Sequence, residues 1–141
     1  MLCSPELSGC TVTAKSSTAK LRGDAGRAPE LRFRIRITAG DVIAVGPGKI
    51  ALLEAIDKTG SITAAAKSLD MSYRRAWILL DELNRSLHHA AVDSAKGGSA
   101  GGGSVLTDSG RELVTLYRTI ESKATVACRA DIRKLMAMLA R

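Results

Sequence analysis

Four successive residues, Ser72-Tyr73-Arg74-Arg75, place a hydroxyl, a phenol and two guanidinium groups in one short stretch. Arginine pairs bidentately with guanine, and hydroxyls bond bases or phosphates. Held in the first turn of a helix, such a set reaches base edges in the major groove of duplex DNA. The bland alternative is that Arg74 and Arg75 line a solvated face while Tyr73 packs into a core. Trp77 has two readings of its own: packed inward, or covering a phosphate with its indole N–H free to donate. Further along, Lys96-Gly97-Gly98 opens a glycine-rich run to residue 103. As a linker that run is merely flexible. Between two strands it fits better as a wing, because glycine lets a backbone approach the sugar-phosphate rail and Lys96 adds charge.

Patterns that suggest catalysis or cofactor chemistry fare worse. Gly46-Pro47-Gly48-Lys49-Ile50-Ala51 has the form G-x-G-x-x-A of a dinucleotide fingerprint. No parallel strand follows within about 30 residues, as that fingerprint needs. A phosphate-binding loop ending in Gly48-Lys49 would need glycine and Ser/Thr where Ile43 and Ile50 stand. His88-His89 and the cysteines Cys3, Cys10 and Cys128 show no C-x-x-C or H-x₃-H spacing, and adjacent side chains rarely share one metal. No nucleophile–base set stands out. The expectation is a protein that is not an enzyme and needs no cofactor or metal.

The elements that must position Ser72 to Arg75 can be read from periodicity. Leu31, Phe33, Ile35 and Ile37 alternate with Arg32, Arg34 and Arg36, which predicts a half-buried strand over 31–37. The arginine face is as well explained by solvation as by contact with DNA. A turn over 38–41 and a second strand over 42–45 make a hairpin. Ile50, Leu53 and Ile56 keep helical spacing over 49–58, and Gly60 ends that helix. Ser61 caps a short helix over 62–69, and Ser72 caps another that runs to about Leu87. Two helices so closely joined, with small Ala64, Ala65 and Ala66 at the crossing, form a helix-turn-helix pattern. Leu69, Met71, Ala76, Leu80 and Leu83 supply its core. Short strands over 92–95 and 104–106 flank the glycine run, and Thr107 caps a final helix.

That last helix has no Gly or Pro from residue 111 onward and carries Leu113, Leu116, Tyr117, Ile120 and Ala124 at three-and-four spacing. Continuous from Asp108, its 34 residues would extend about 50 Å. Such a helix overhangs a small domain, and a second copy of the chain is the simplest way to bury its stripe.

Composition agrees with a folded, basic protein. The 141 residues carry 21 Lys+Arg against 14 Asp+Glu, a net charge of +7. Residues 1–30 hold only +1 of it, from Lys15, Lys20, Arg22 and Arg27 against Glu6, Asp24 and Glu30, and residues 1–28 read as a disordered leader. The excess charge therefore sits on the folded part and points to an acidic partner, nucleic acid first. One Trp, one Phe and two Tyr are too few for stacking single-stranded bases. Three scattered cysteines argue against a secreted disulfide framework. With no apolar run long enough for a membrane span and no signal peptide, a cytoplasmic protein is expected.

Residues 46–116 carry a family resemblance. Gly-Pro-Gly-Lys-Ile, Leu-Leu-Glu-Ala-Ile, Thr-Gly-Ser-Ile-Thr-Ala-Ala-Ala-Lys and Met-Ser-Tyr-Arg-Arg-Ala-Trp resemble the N-terminal domain of ModE-type molybdate-responsive regulators. Asn84, the glycines at 97, 98 and 101–103, and Leu106-Thr107 with Gly110 match as well, and LysR-type winged helices are similar more broadly. The resemblance implies a mainly α fold with a small β part: a winged helix-turn-helix with an N-terminal β-hairpin and a long C-terminal dimerisation helix. It implies residues 29–107 as the DNA-binding domain and 108–141 as the dimerisation helix. Ser61, Ser72, Tyr73, Arg74, Arg75, Trp77, Lys96, Gly97 and Gly98 are expected at the DNA, and Leu113, Leu116, Tyr117, Ile120 and Ala124 at the dimer contact. The function implied is a homodimeric, sequence-specific regulator of transcription on double-stranded promoter DNA, linked to molybdenum metabolism. In full-length members molybdate binds a separate C-terminal domain. This sequence ends at Arg141 before any such domain, so molybdate binding by these residues is not expected. The alternative is a winged-helix protein-interaction module without direct operator binding.

Overall fold

The computed structural model describes residues 28–94 and 103–139. The leader, but for Ala28, and most of the glycine run lie outside the described residues. The order of elements is β1 (Ile37–Ala39), β2 (Val42–Val45), α1 (Pro47–Thr59), α2 (Ile62–Ser68), α3 (Tyr73–Ser86), β3 (Val92–Ser94), β4 (Ser104–Leu106), α4 (Asp108–Ala127) and α5 (Arg129–Ala137). Two separate two-stranded sheets, β1-β2 and β3-β4, flank a helical body. The fold is mainly α and winged-helix-like.

The first hairpin is shorter than the alternation predicts. Only residues 37–39 pair, in antiparallel register Thr38↔Ile43 and Ala39↔Val42, with a bulge after Ile37. Gly40, at φ +60, turns the chain. The predicted in-and-out pattern holds only in the middle of residues 31–37: Phe33 and Ile35 are half-buried, but Leu31 and Ile37, expected on the inward face, are exposed along with Arg32, Arg34 and Arg36. Residues 31–36 form no ladder because β2 stops at Val45, where Gly46-Pro47 starts a helix. The arm instead lies against α4, where the Tyr117 hydroxyl donates to the Ile35 carbonyl at 3.0 Å.

Helix α1 is the centre of the core. It starts two residues earlier than expected because Pro47, with its fixed φ, serves as a first-turn residue. Ile50, Leu52, Leu53 and Ile56 are wholly inaccessible to solvent. Gly60, at φ +66, returns its N–H to the Ile56 carbonyl at 2.7 Å and closes the helix. Helix α2 buries Ile62, Ala65 and Ala66, while Ala64, expected at the crossing, faces solvent. The link to α3 runs through Asp70 at φ +52, and the Met71 N–H donates to Ala66 O at 3.1 Å. Helix α3 buries Ala76, Leu80 and Leu83, with Leu69 and Met71 partly buried beside them.

The second hairpin pairs Val92↔Leu106, Asp93↔Val105 and Ser94↔Ser104. It is fastened to the end of α1 by Ser104 N–H donating to Gly60 O at 3.0 Å. Thr107 then caps α4, accepting from Gly110 N–H at 3.1 Å. The final helix, whose continuity over 108–141 the sequence left open, is divided into α4 and α5. It breaks at Cys128, whose ψ of 12° departs from helical geometry, and the described helical residues end at Ala137. No Gly or Pro marks the place. The Thr125 hydroxyl donates back to Glu121 O at 2.8 Å just before it, but Thr115 and Thr119 make the same bond without breaking α4, so that bond does not explain the place of the break.

Candidate nucleic-acid interface

The helix pair α2-α3 sets the geometry of the site. Ser61 accepts from Ala64 N–H at 3.4 Å and Ser72 from Arg75 N–H at 3.2 Å, so both hydroxyl oxygens are engaged as helix caps. Capping fixes the start of α3, and with it the direction in which the next three side chains leave the backbone. Tyr73, Arg74 and Arg75 are all exposed. Neither arginine has a carboxylate within salt-bridge distance among the described residues. Tyr73 is therefore not a core residue.

Trp77 resolves between its two readings in favour of the surface. It is exposed and meets Tyr73 edge-on, with ring centroids 6.1 Å apart and planes at 79°. Toward the far end of the same helix Arg85 is neutralised by Asp81, at 3.0 Å between Nη2 and Oδ2. Unpaired positive charge on α3 is thus concentrated in its first turn. Lys96, Gly97 and Gly98, expected to complete the interface, lie outside the described residues.

A residue that the sequence offered only as the lysine of a phosphate loop holds α3 in place. Lys49 is only 4% exposed. Its ammonium donates to the Ile43 carbonyl and stands 3.2 Å from Glu82 Oε2. It joins β2, α1 and α3 at one point. The lysine of the Gly48-Lys49 pair that mimics a phosphate loop is therefore turned inward, with its charge matched by the protein itself. The only sequence signal of that burial was its place amid apolar residues at a helix start.

The body of the domain is clamped to α4 by a second charge group. Arg118 meets Glu54 through two bonds of 2.7 Å and Glu121 through a third of 2.7 Å. Those bonds hold the Glu54 carboxyl below its ordinary value and raise the guanidinium further above its own.

The five residues expected at a dimer contact do not share one environment. Leu116 and Ile120 are exposed, and Leu113 and Ala124 are half-buried. Tyr117 is a correction: at 3% exposure it is buried in its own chain's core, where its hydroxyl finds Ile35. Spacing placed it on the stripe, but the arm over 31–36 covers that side of the helix. Val126 and Leu135, farther along, are exposed as well.

Among the described residues no three His, Cys, Asp or Glu side chains gather to hold a metal, and no helix is long and apolar enough to cross a membrane. No protein-family profile matches the chain. Individual proteins do. The molybdenum-pterin-binding protein MopB of Rhodobacter capsulatus is 45% identical over 78 residues, 55% of this chain and 29% of that protein. The molybdenum transport protein ModE of Azotobacter vinelandii is 44% identical over 78 residues, with the same coverage of both. The DNA-binding transcriptional dual regulator ModE of Escherichia coli is 44% identical over 71 residues, 50% of this chain and 27% of that protein. Over about half its length this chain is similar to the ModE and Mop proteins. It spans under a third of the length of these ModE and Mop relatives. The names they carry are those of a regulator, a transport protein and a molybdenum-pterin binder, none of them an enzyme's name.

Proposed function

We propose that this chain is a sequence-specific regulator of transcription that binds double-stranded promoter DNA as a homodimer. On this reading α3 lies in the major groove, and Ser72 to Arg75 face the bases and phosphates at its leading end. The observation that carries the reading is the pair Arg74 and Arg75: exposed, without an ion-pair partner among the described residues, and fixed by a capped helix start. Free guanidinium groups at the head of a helix favour an anionic partner, and the overall charge of +7 adds to the attraction. The Tyr73–Trp77 pair supplies apolar surface beside them. Lys96, Gly97 and Gly98 are assigned to the phosphate rail beside the groove. Leu116 and Ile120, with Leu113 and Ala124 at their flanks, are assigned to the partner subunit.

The link to molybdenum rests on the relatives' names, two of which speak of molybdenum transport or molybdenum-pterin binding. The proposed role is control of genes that serve molybdenum uptake or use, carried out in the cytoplasm.

Selection from a pool of random duplexes, at two salt concentrations and with or without molybdate, tests this. Enrichment of a two-fold symmetric site whose affinity falls steeply with salt supports a dimeric reader. Absence of enrichment at either salt overturns it in favour of a protein-docking module.

A further inference from the structure

The outermost line of α3 is not the row of arginines alone. At about 100° per residue, Arg74, Ile78, Asp81 and Arg85 follow one another along the side opposite Ala76, Leu80 and Leu83. The structure agrees: the first four are exposed and the last three buried. Ile78, at 48% exposure, therefore sits at the crest of the helix, one turn after Arg74. A lone exposed isoleucine is ordinary on a protein surface. What singles this one out is its neighbours. Arg74 before it has no ion-pair partner among the described residues, and Asp81 and Arg85 after it cancel one another. The crest thus presents a cation, then a branched apolar group, then a neutral pair.

In the major groove the apolar group a base pair offers is the 5-methyl of thymine, against which aliphatic and aromatic side chains pack. We infer that Ile78 is a specificity-determining residue that packs on a thymine 5-methyl group, next to the base pair reached by Arg74. The inference rests on the DNA-binding reading above. It adds a position and a chemistry to that reading: Arg74 favours guanine, and Ile78 favours thymine a step further along the groove. Ile78 lies three residues beyond the Ser-Tyr-Arg-Arg start, where a search for hydrogen-bonding side chains stops. An aliphatic residue reads nothing by hydrogen bonds, so its role shows only once the crest of the helix is known.

The test uses the full chain and duplexes it selects from the random pool. Each thymine of the selected half-site is replaced in turn by uracil, which keeps every hydrogen bond and removes only the methyl. One replacement is expected to weaken binding about fourfold, the worth of one buried methyl group. In Ile78→Ser the same replacement should cost nothing, while Ile78→Val should keep most of the penalty. Both variants alter an exposed side chain, and their thermal melts should stay close to the parent's. If uracil is tolerated at every position, or penalised equally with Ile78→Ser, the assignment of Ile78 is overturned although DNA binding stands. If no duplex is selected at all, the DNA-binding reading itself fails and this inference with it.

Discussion

The Lys49 ammonium lies 3.2 Å from Glu82 Oε2, joining the first turn of α1 to α3. Lys49 is buried and Glu82 is half-buried, so the two groups contribute unequally. Loss of the lysine removes a long aliphatic stem from the core as well as its charge. Lys49→Ala is expected to destabilise the fold by about 2–4 kcal/mol, in the range of large-to-small core changes. Lys49→Met, which refills the volume, should recover much of that. Glu82→Ala leaves the ammonium with carbonyl partners and should cost about 1–3 kcal/mol. Urea unfolding of the three variants at neutral pH separates packing from charge.

Two helical glycines predict opposite outcomes. A Cβ on Gly110 would stand 2.2 Å from the Ala91 carbonyl oxygen, a backbone atom that cannot swing aside. The Thr107 cap and the Thr107 N–H bond to Ala91 O at 3.0 Å pin α4 to that strand entrance. Gly110→Ala should therefore destabilise by at least about 1–3 kcal/mol, the cost of overpacking. Gly48, in the first turn of α1, has open space around the same position. Gly48→Ala should stabilise by about 0.5–1 kcal/mol through helix propensity and a less disordered unfolded chain. Thermal melts of the two single variants decide both signs.

What could be read from sequence was what short-range chemistry dictates. Ser61, Ser72 and Thr107 each accept the expected first-turn N–H, and Gly60 adopts the left-handed conformation that ends α1. The alternation over 31–37 reported which side chains turn inward correctly at Phe33 and Ile35, but not at Leu31 and Ile37, which are exposed. It could not report whether a partner strand exists, because period two is a property of one chain segment and a ladder needs two. Tyr117 failed for a related reason. Three-and-four spacing finds the apolar side of a helix but not which part of it the same chain covers. Lys49 was hidden by its own type, since a lysine is buried only where carbonyls and a carboxylate converge from distant segments. The break at Cys128 lacks a Gly or Pro and so left no mark in the pattern.

The Glu54–Arg118 pair gives a pH signature. Hydrogen bonding to Arg118 lowers the Glu54 carboxyl below its ordinary 4.5 in the folded state. A carboxyl lowered on folding contributes stability that is fully present above its unfolded value and lost as pH falls through the folded one. Both side chains are partly exposed, so solvent screens the pair, and its worth at pH 7 is about 0.5–1 kcal/mol. Glu54→Gln should be less stable than the parent by that amount at pH 7. The two unfolding curves should converge as the pH drops below the ordinary carboxylate value, and equal gaps at pH 7 and pH 3 would contradict the assignment.

The apolar row on α4 divides into residues that should govern association and one that should govern folding. Leu116 and Ile120 face outward. Ile120→Asp is expected to shift the chain toward monomer in sedimentation while its melting temperature, measured dilute, stays near the parent's. Tyr117→Phe should do the reverse. It removes the bond to the Ile35 carbonyl and should cost about 1 kcal/mol of folding stability with the association state unchanged.

Among the described residues Arg74 and Arg75 have no carboxylate within salt-bridge distance, whereas Arg85, Arg111 and Arg118 do. Arg85 has Asp81, Arg111 has Asp57 and Asp108, and Arg118 has Glu54 and Glu121. Their removal should therefore leave folding nearly untouched and act on the partner alone. If they reach base edges, Arg74→Ala and Arg75→Ala should each weaken binding to a selected duplex by about 1–3 kcal/mol and relax its sequence preference. If Lys96 meets a phosphate, as proposed, Lys96→Ala should weaken all duplexes alike and lower the salt slope by about one. Titrations of each variant against selected and scrambled duplexes, at two salt concentrations, tell these apart. Specificity lost at one position marks a base contact, and a uniform loss with a flatter salt dependence marks a phosphate contact. Unchanged affinity in all three would remove α3 and the glycine run from the interface.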